Sequence, residues 1–336
     1  IIMRMRVCVI FLDGVGVGDD DPAHNPLVAV PTPAITGLLG HPLANGSRTG
    51  DRSAPGLVLA QADATLGVPG LPQSATGQTA LLTGLNAAAL VGRHVTAHPT
   101  AALRALLAEQ SLLVRARAAG RGVALANAYT PEYHAGIAAG RLRHGAFTVA
   151  ALGAAVPLRT VDDLRRGEAV FHDLTNGRPR GWGHDLPLRT PAEAGAVLAG
   201  IAAGHDLTVF EFFLSDLAAH GRIPEDVPTV VRLIDGLLAG VLAARPADLT
   251  VLVTSDHGNL EDGRTRRHTR NPVPVLAIGP AARTFAGVAA ITDIAPAVLR
   301  ALGVGDGPPG EPHRAAVGGP RSAAPSSRWT PGGMSG

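Results

Sequence analysis

The stretch TSDHGNLEDGRTRRHTRNPVPV, residues 254–275, sets a carboxylate beside an imidazole, Asp256 and His257, and follows them with His268 and Thr269. The residues just before it, DLTVLV, read as a buried strand. A polar pair at the end of a buried strand must find partners, either by capping a turn or by ligating a metal. Two more apolar runs end the same way. VCVIFL (7–12) runs into Asp13, and LTVFEFFL (207–214) runs into SDLAAH, where Asp216 and His220 are spaced i, i+4 and share one face of a helical turn. Each of these alone is a turn residue, a cap or an exposed polar face. Parallel α/β sheets, however, bind ligands beyond the carboxyl ends of their strands. Asp13, Asp216, His220, Asp256, His257 and His268 are therefore expected to converge on one sheet edge as a metal site.

A nucleophile accompanies them. GLPQSATGQTALLTG places Ser74 just ahead of an apolar helix, where Ser74 or Thr76 would cap it. The same position offers free N–H groups and the positive end of the helix dipole, which favour a phosphate. A serine held there by a metal is activated for attack on phosphorus.

The elements that position these residues alternate between short apolar strands and Ala/Leu-rich helices, the pattern of an α/β fold with a largely parallel sheet sandwiched by helices. Strands are expected at 7–12, 122–129, 207–214, 249–254 and 273–279. Helices are expected at 79–90, 101–120 (one or two), 227–244 and 292–303, the last capped by Thr292 or Asp293. The alternation lapses over 131–195. Residues 1–130 and 196–304 thus read as a discontinuous catalytic core and 131–195 as a small lid insertion. In that insertion Arg141, Arg143 and His144 of RLRHGAF are the candidates to hold a substrate oxyanion. The Gly/Pro/Ser-rich residues 305–336 read as a disordered tail.

As an ordered set, Asp13, Ser74, Asp216-x-x-x-His220, Asp256-His257-Gly and His268-Thr resembles the alkaline phosphatase superfamily. Within it the chain is most similar to the branch containing cofactor-independent phosphoglycerate mutase and phosphopentomutase, with DGVGVG, TSDHGN and HTRNPVPV alike in wording and order. The likeness covers about 1–90 and 205–303. It implies an alkaline-phosphatase-like core and two divalent ions, one held by Asp216, His220 and His268, the other by Asp13, Asp256, His257 and the Ser74 oxygen. The mixed carboxylate and imidazole set suits Mn²⁺ or Zn²⁺ better than Ca²⁺, and the relatives' preference favours Mn²⁺. Three departures stand out. Gln78 takes the place of a histidine that the mutases carry after the nucleophile loop, and the chain has no lysine for the transferred phosphate. The insertion is also shorter than the phosphoglycerate mutases' second domain. A sulfatase reading, which needs C/S-x-P-x-R, fails because Ser74 is followed by Ala-Thr-Gly.

Composition narrows the remaining classes. All 29 basic residues are Arg, so no lysine-based chemistry is open, and a net charge of +2 with 3% aromatics does not indicate nucleic-acid binding. The single cysteine, Cys8, cannot form a disulfide within the chain, which points to a reducing, cytoplasmic setting. No stretch reads as long enough to span a bilayer, and no signal peptide is recognised. The expected function is two-metal phosphoryl transfer on a small phosphorylated metabolite through phospho-Ser74. Net hydrolysis by a phosphatase is favoured, with a phosphomutase as the alternative and a non-catalytic phospholigand-binding scaffold behind both. The oligomeric state is not legible.

Overall fold

Six strands build one sheet: β1 (Arg6–Leu12), β2 (Leu57–Ala62), β3 (Val123–Leu125), β4 (Leu207–Phe212), β5 (Leu249–Thr254) and β6 (Val273–Ile278). They lie in the order β2-β6-β5-β1-β4-β3 in the computed structural model, which describes residues 5–46 and 56–305. The expected tail lies outside the described residues beyond residue 305. β1 is central and parallel to both neighbours, with Val9 opposite Val209 of β4 and Leu252 of β5. β3 continues the parallel set beside β4, whereas β6 runs antiparallel to β5 and β2 antiparallel to β6. The sheet is therefore largely parallel, as expected, with one reversed strand. β2 is an addition that the alternation did not show.

β1 reads as continuously apolar because both of its faces are covered. Val7, Val9 and Phe11 point to one layer and Cys8, Ile10 and Leu12 to the other. The first layer contains the helices α1 (Ser74–Thr83), α2 (Ala101–Gln110) and α3 (Ala146–Gly153). On the opposite face lies α4 (Pro191–Ala203). The short α5 (Leu214–Ala219) follows β4, and α6 (Val227–Ala244) packs beside α4. The closing helix α7 (Ile294–Ala301) returns to the first layer.

Several expected elements come out shorter, each for a local reason. The helix expected over 79–90 breaks at Gly84, which caps α1 in the left-handed region at φ 78°. The strand expected over 122–129 stops at Leu125. Asn127 instead spends its amide on the backbone of Glu211, donating from Nδ2 to the carbonyl and accepting the N–H at Oδ1, each at 2.8 Å. Asp293 does hold the N-cap position of α7, but its carboxylate turns back to accept the N–H groups of Ala289 and Ala290.

The 131–195 segment is only partly an insertion. Its apolar run AFTVAALG forms α3, whose Phe147 is fully buried with its ring centroid 4.5 Å from that of Phe11. The helix is part of a core layer, with Phe147, Val149 and Ala150 in the main apolar cluster. The remainder carries a small cluster of its own, formed by Val161, Leu164, Ala169, Phe171 and Leu186 with Ala128. At the far end, residues 191–195 belong to α4.

α6 corrects the membrane expectation in one respect. With a mean hydropathy of 1.7 over 18 residues it is long and apolar enough to cross a bilayer by length and composition. Here it lies on α4 and the sheet, burying Val230, Ile234, Leu237, Leu238 and Val241. The two helices approach through glycines: a Cβ on Gly240 would sit 1.9 Å from the Ala192 carbonyl oxygen, and one on Gly195 would sit 2.2 Å from that of Leu237. Gly240→Ala should therefore cost about 1–3 kcal/mol through overpacking. Gly200→Ala, on the open side of α4, should be neutral or gain up to about 1 kcal/mol in helix propensity. Thermal unfolding of the two variants checks this; equal melting temperatures would contradict the close-packed helix pair.

Candidate metal centre

β5, β1 and β4 are adjacent and parallel, so their carboxyl ends deliver side chains to one place. Asp13 follows β1, Asp256 and His257 follow β5, and α5 presents Asp216 with His220 at its end. His268 arrives on the loop before β6, and Ser74 opens α1. All seven come together. His220 Nε2 lies 3.1 Å from His268 Nε2, and these two atoms lie 3.3 and 3.4 Å from Asp216 Oδ1. Beside this triangle, His257 Nε2 lies 3.1 Å from Ser74 Oγ, 3.4 Å from Asp13 Oδ1 and 3.6 Å from Asp256 Oδ2. Donor atoms of Asp13, Asp216 and His257 also fall within 4.8 Å of one another, so the clusters adjoin at Asp216.

This geometry fits divalent ions. A tetrahedral set of donors with bonds of about 2.1 Å places the donors about 3.4 Å apart, close to every separation above. Asp13 Oδ1 and Asp256 Oδ2 are buried with no hydrogen-bond partner, an arrangement that costs several kcal/mol per ion unless an opposing charge balances it. Among the described residues, the ion-pair partners of Asp13, Asp216 and Asp256 are all histidines. The outer contacts aim the donors. His268 Nδ1 donates to the Pro72 carbonyl at 2.7 Å, leaving Nε2 for the cluster. Asn259 Nδ2 donates to Asp216 Oδ1 at 2.9 Å, and Gln78 Nε2 to Asp13 Oδ2 at 3.3 Å.

Backbone fit brings the elements this close. Gly14, at φ +67°, leaves room for Asp216, whose Oδ1 would lie 2.8 Å from a Cβ there, and Gly77 lets α1 rest against Asp256. Ser74 turns out not to cap α1. Gln73 holds the N-cap without a side-chain bond, so the Ser74 hydroxyl is left to face His257.

Comparisons with known proteins bear on the fold and on what the chain resembles. The model of the Metalloenzyme superfamily matches residues 191–306. This segment resembles that superfamily. The chain is 30% identical over 125 residues to the 2,3-bisphosphoglycerate-independent phosphoglycerate mutase of Cereibacter sphaeroides, covering 35% of this chain and 25% of that one. It is 34% identical over 125 residues to the enzyme of the same name from Rhodopseudomonas palustris, covering 34% and 24%. The chain thus spans about a quarter of the length of the curated relatives it matches. The solved PH0037 protein from Pyrococcus horikoshii has the same fold, with a TM-score of 0.53 at 14% identity over 91% of this chain and 99% of that one. The resemblance to the alkaline phosphatase superfamily on its phosphoglycerate mutase side holds.

Around the candidate metal centre opens a cleft of about 1240 Å³, lined by Ser74, Asp13, Asp216, His220 and His268 and by residues of the 131–195 segment. Of the three expected substrate residues only Arg143 lines it. Arg141 is exposed elsewhere, and His144 is occupied with the Tyr133 hydroxyl at 2.8 Å. Three arginines that the sequence reading passed over also line the cleft: Arg222, Arg266 and Arg267. Each stands within two residues of His220 or His268, which was the available signal. Glu261 was missed as well. It is buried and accepts from the Gly16 and Asn259 N–H groups, the Thr269 hydroxyl and the Asn271 amide, tying the His257–His268 loop to the turn after β1.

The crowding of acids shows in their protonation. Burial, then Asp256, raises the Asp13 carboxyl well above the usual range, and burial raises Asp256. Burial also pushes Asp216 upward, but its contacts with His268, His257 and Asn259 prevail and hold it at about 2. Burial lowers His257. Glu211, on the cleft floor, is raised from 4.5 to about 8 by burial and then by Asp256. Because its folded value is the higher one, the folded protein binds the extra proton between those limits, and stability falls as pH rises through that window. In metal-stripped protein, Glu211→Gln should melt at nearly the wild-type temperature at pH 5 and progressively higher by pH 8.5. A difference that does not change with pH would contradict this.

Proposed function

We propose that the chain catalyses metal-dependent phosphoryl transfer from a small phosphorylated metabolite through a phosphoserine at Ser74, with net hydrolysis as the outcome. The observation that carries this is the buried Ser74 hydroxyl at the start of α1, 3.1 Å from His257 Nε2 and beside two partnerless carboxylate oxygens. Asp216, His220 and His268 would hold one ion, and Asp13, Asp256, His257 and Ser74 Oγ the other. Mn²⁺ suits this donor set best, with Zn²⁺ next. When bound, the ions supply Lewis-acid stabilisation of phosphoryl oxygens and a lowered hydroxyl pKa.

Ser74 Oγ forms the new bond to phosphorus as the ester P–O bond breaks, and the leaving alcohol takes up the proton that the serine gives up. Water then attacks the phosphoserine, releasing inorganic phosphate and restoring the serine O–H. The N-terminus of α1 favours the phosphate dianion throughout, and Arg143, Arg222, Arg266 and Arg267 on the cleft walls supply paired donors to further oxygens. A mutase must exclude water and retain its dephosphorylated product. The wide cleft, the absence of lysine and the short insertion favour hydrolysis instead. The names of the curated relatives favour the mutase reading. A scaffold that only binds phospholigands leaves the buried nucleophile unexplained.

The test supplies Mn²⁺ with p-nitrophenyl phosphate, ribose 1- and 5-phosphate, and 2- and 3-phosphoglycerate, following free phosphate and isomer ratio together. Phosphate should be released, and Ser74→Ala should lower the rate by on the order of a thousandfold or more while divalent metal is retained. Isomer exchange without phosphate release would establish the mutase instead. Release that persists in Ser74→Ala would remove the phosphoserine.

A further inference from the structure

The cleft is larger than a three-carbon phosphate can fill, since pockets for drug-sized ligands run to about 300–1,000 Å³ and this one reaches about 1240 Å³. Part of its lining is aromatic. Phe171, His172 and Phe213 follow one another with ring centroids 4.0 and 4.6 Å apart, and Trp182 meets Phe171 edge-on at 5.9 Å. Burial, with Arg178 nearby, takes His172 down to about 3, so the imidazole is neutral and behaves as one more flat ring. Trp182 stays 53% exposed although it is the bulkiest side chain of the insertion. A large ring left open on the wall of a catalytic cleft has apolar area still to bury.

Charge adds a second requirement. Arg143, Arg222, Arg266 and Arg267 line the same cleft, and none of the ion pairs among the described residues includes them. Unpaired guanidinium groups present donors to phosphate oxygens and flat faces to rings. A ligand that satisfies both walls is an anion joined to a planar ring system.

We propose that the phosphoester taken by this site is a nucleoside phosphate, with its phosphate at Ser74 and its base against the Trp182–Phe171–His172–Phe213 wall. This rests on the phosphoryl-transfer reading for the placement of the phosphate, while the base subsite is tested separately. Aliphatic phosphates, including sugar phosphates and phosphoglycerates, leave the aromatic wall uncovered and are the poorer ligands.

Adenosine 5′-monophosphate and ribose 5-phosphate share phosphate and sugar and differ in the base, so their comparison isolates the wall. Calorimetric titration of Mn²⁺-loaded Ser74→Ala, which cannot turn either over, should show the nucleotide binding at least about tenfold more tightly, the scale of one base–aromatic stack. Adding Trp182→Ala should remove most of that preference while leaving ribose 5-phosphate affinity unchanged, and Trp182→Phe should restore part of it. Trp182 is exposed, so an unchanged melting temperature is expected and confirms folding. Equal affinity for the two ligands, or a preference indifferent to Trp182→Ala, would overturn the proposal. Turnover by the wild-type enzyme is read separately. Base-dependent binding without phosphate release would refute the phosphoryl-transfer reading and leave the base subsite standing.

Discussion

Three aspartates and three histidines crowd the carboxyl edge of β5, β1 and β4, and their mutual repulsion and burial form the constraint on which the rest of the structure depends. Asp13 and Asp256 each carry a buried oxygen with no partner. Such a cluster is expensive unless positive charge is brought to it. No arginine is paired to these aspartates among the described residues. Two divalent ions would answer that need, and the donor separations of 3.1–3.6 Å suit coordination.

The scaffold follows from holding this cluster in register. A parallel arrangement lets three strand ends meet, and burial on both faces makes those strands rigid. α1 brings Ser74 to the cluster because Gly77 allows the helix to lie directly on Asp256. Glu261 then locks the long loop that returns His268 to the centre. The 131–195 segment contributes α3 to the core and Phe171, His172 and Trp182 to the cleft lining, so one segment joins packing to the cleft.

Much of the centre was legible because three of its residues break an apolar run where a strand must end: Asp13 after VCVIFL, Asp256 and His257 after LTVLVT. Ser74 was legible through its place before an apolar helix. Other features were hidden because they depend on distant parts of the chain. The presence of β2 reflects pairing with β6 across more than 200 residues, and the reversal of β6 its antiparallel pairing with β5. Arg141 and Arg143 look alike in RLRHGAF, yet only the local turn decides which one reaches the cleft. Glu261 reads as a turn acid until its four donors are seen. α6 has the composition of a membrane span, and only the glycine contacts with α4 identify it as a packed helix.

The central claim, that this edge holds two divalent ions, is tested most directly by anomalous diffraction from crystals of the full chain grown with Mn²⁺. The account predicts two anomalous peaks about 3.5–4 Å apart. One should be bounded by Asp216, His220 and His268, the other by Asp13, Ser74, Asp256 and His257. A single peak, or none at saturating metal with these side chains in the positions described, would contradict it.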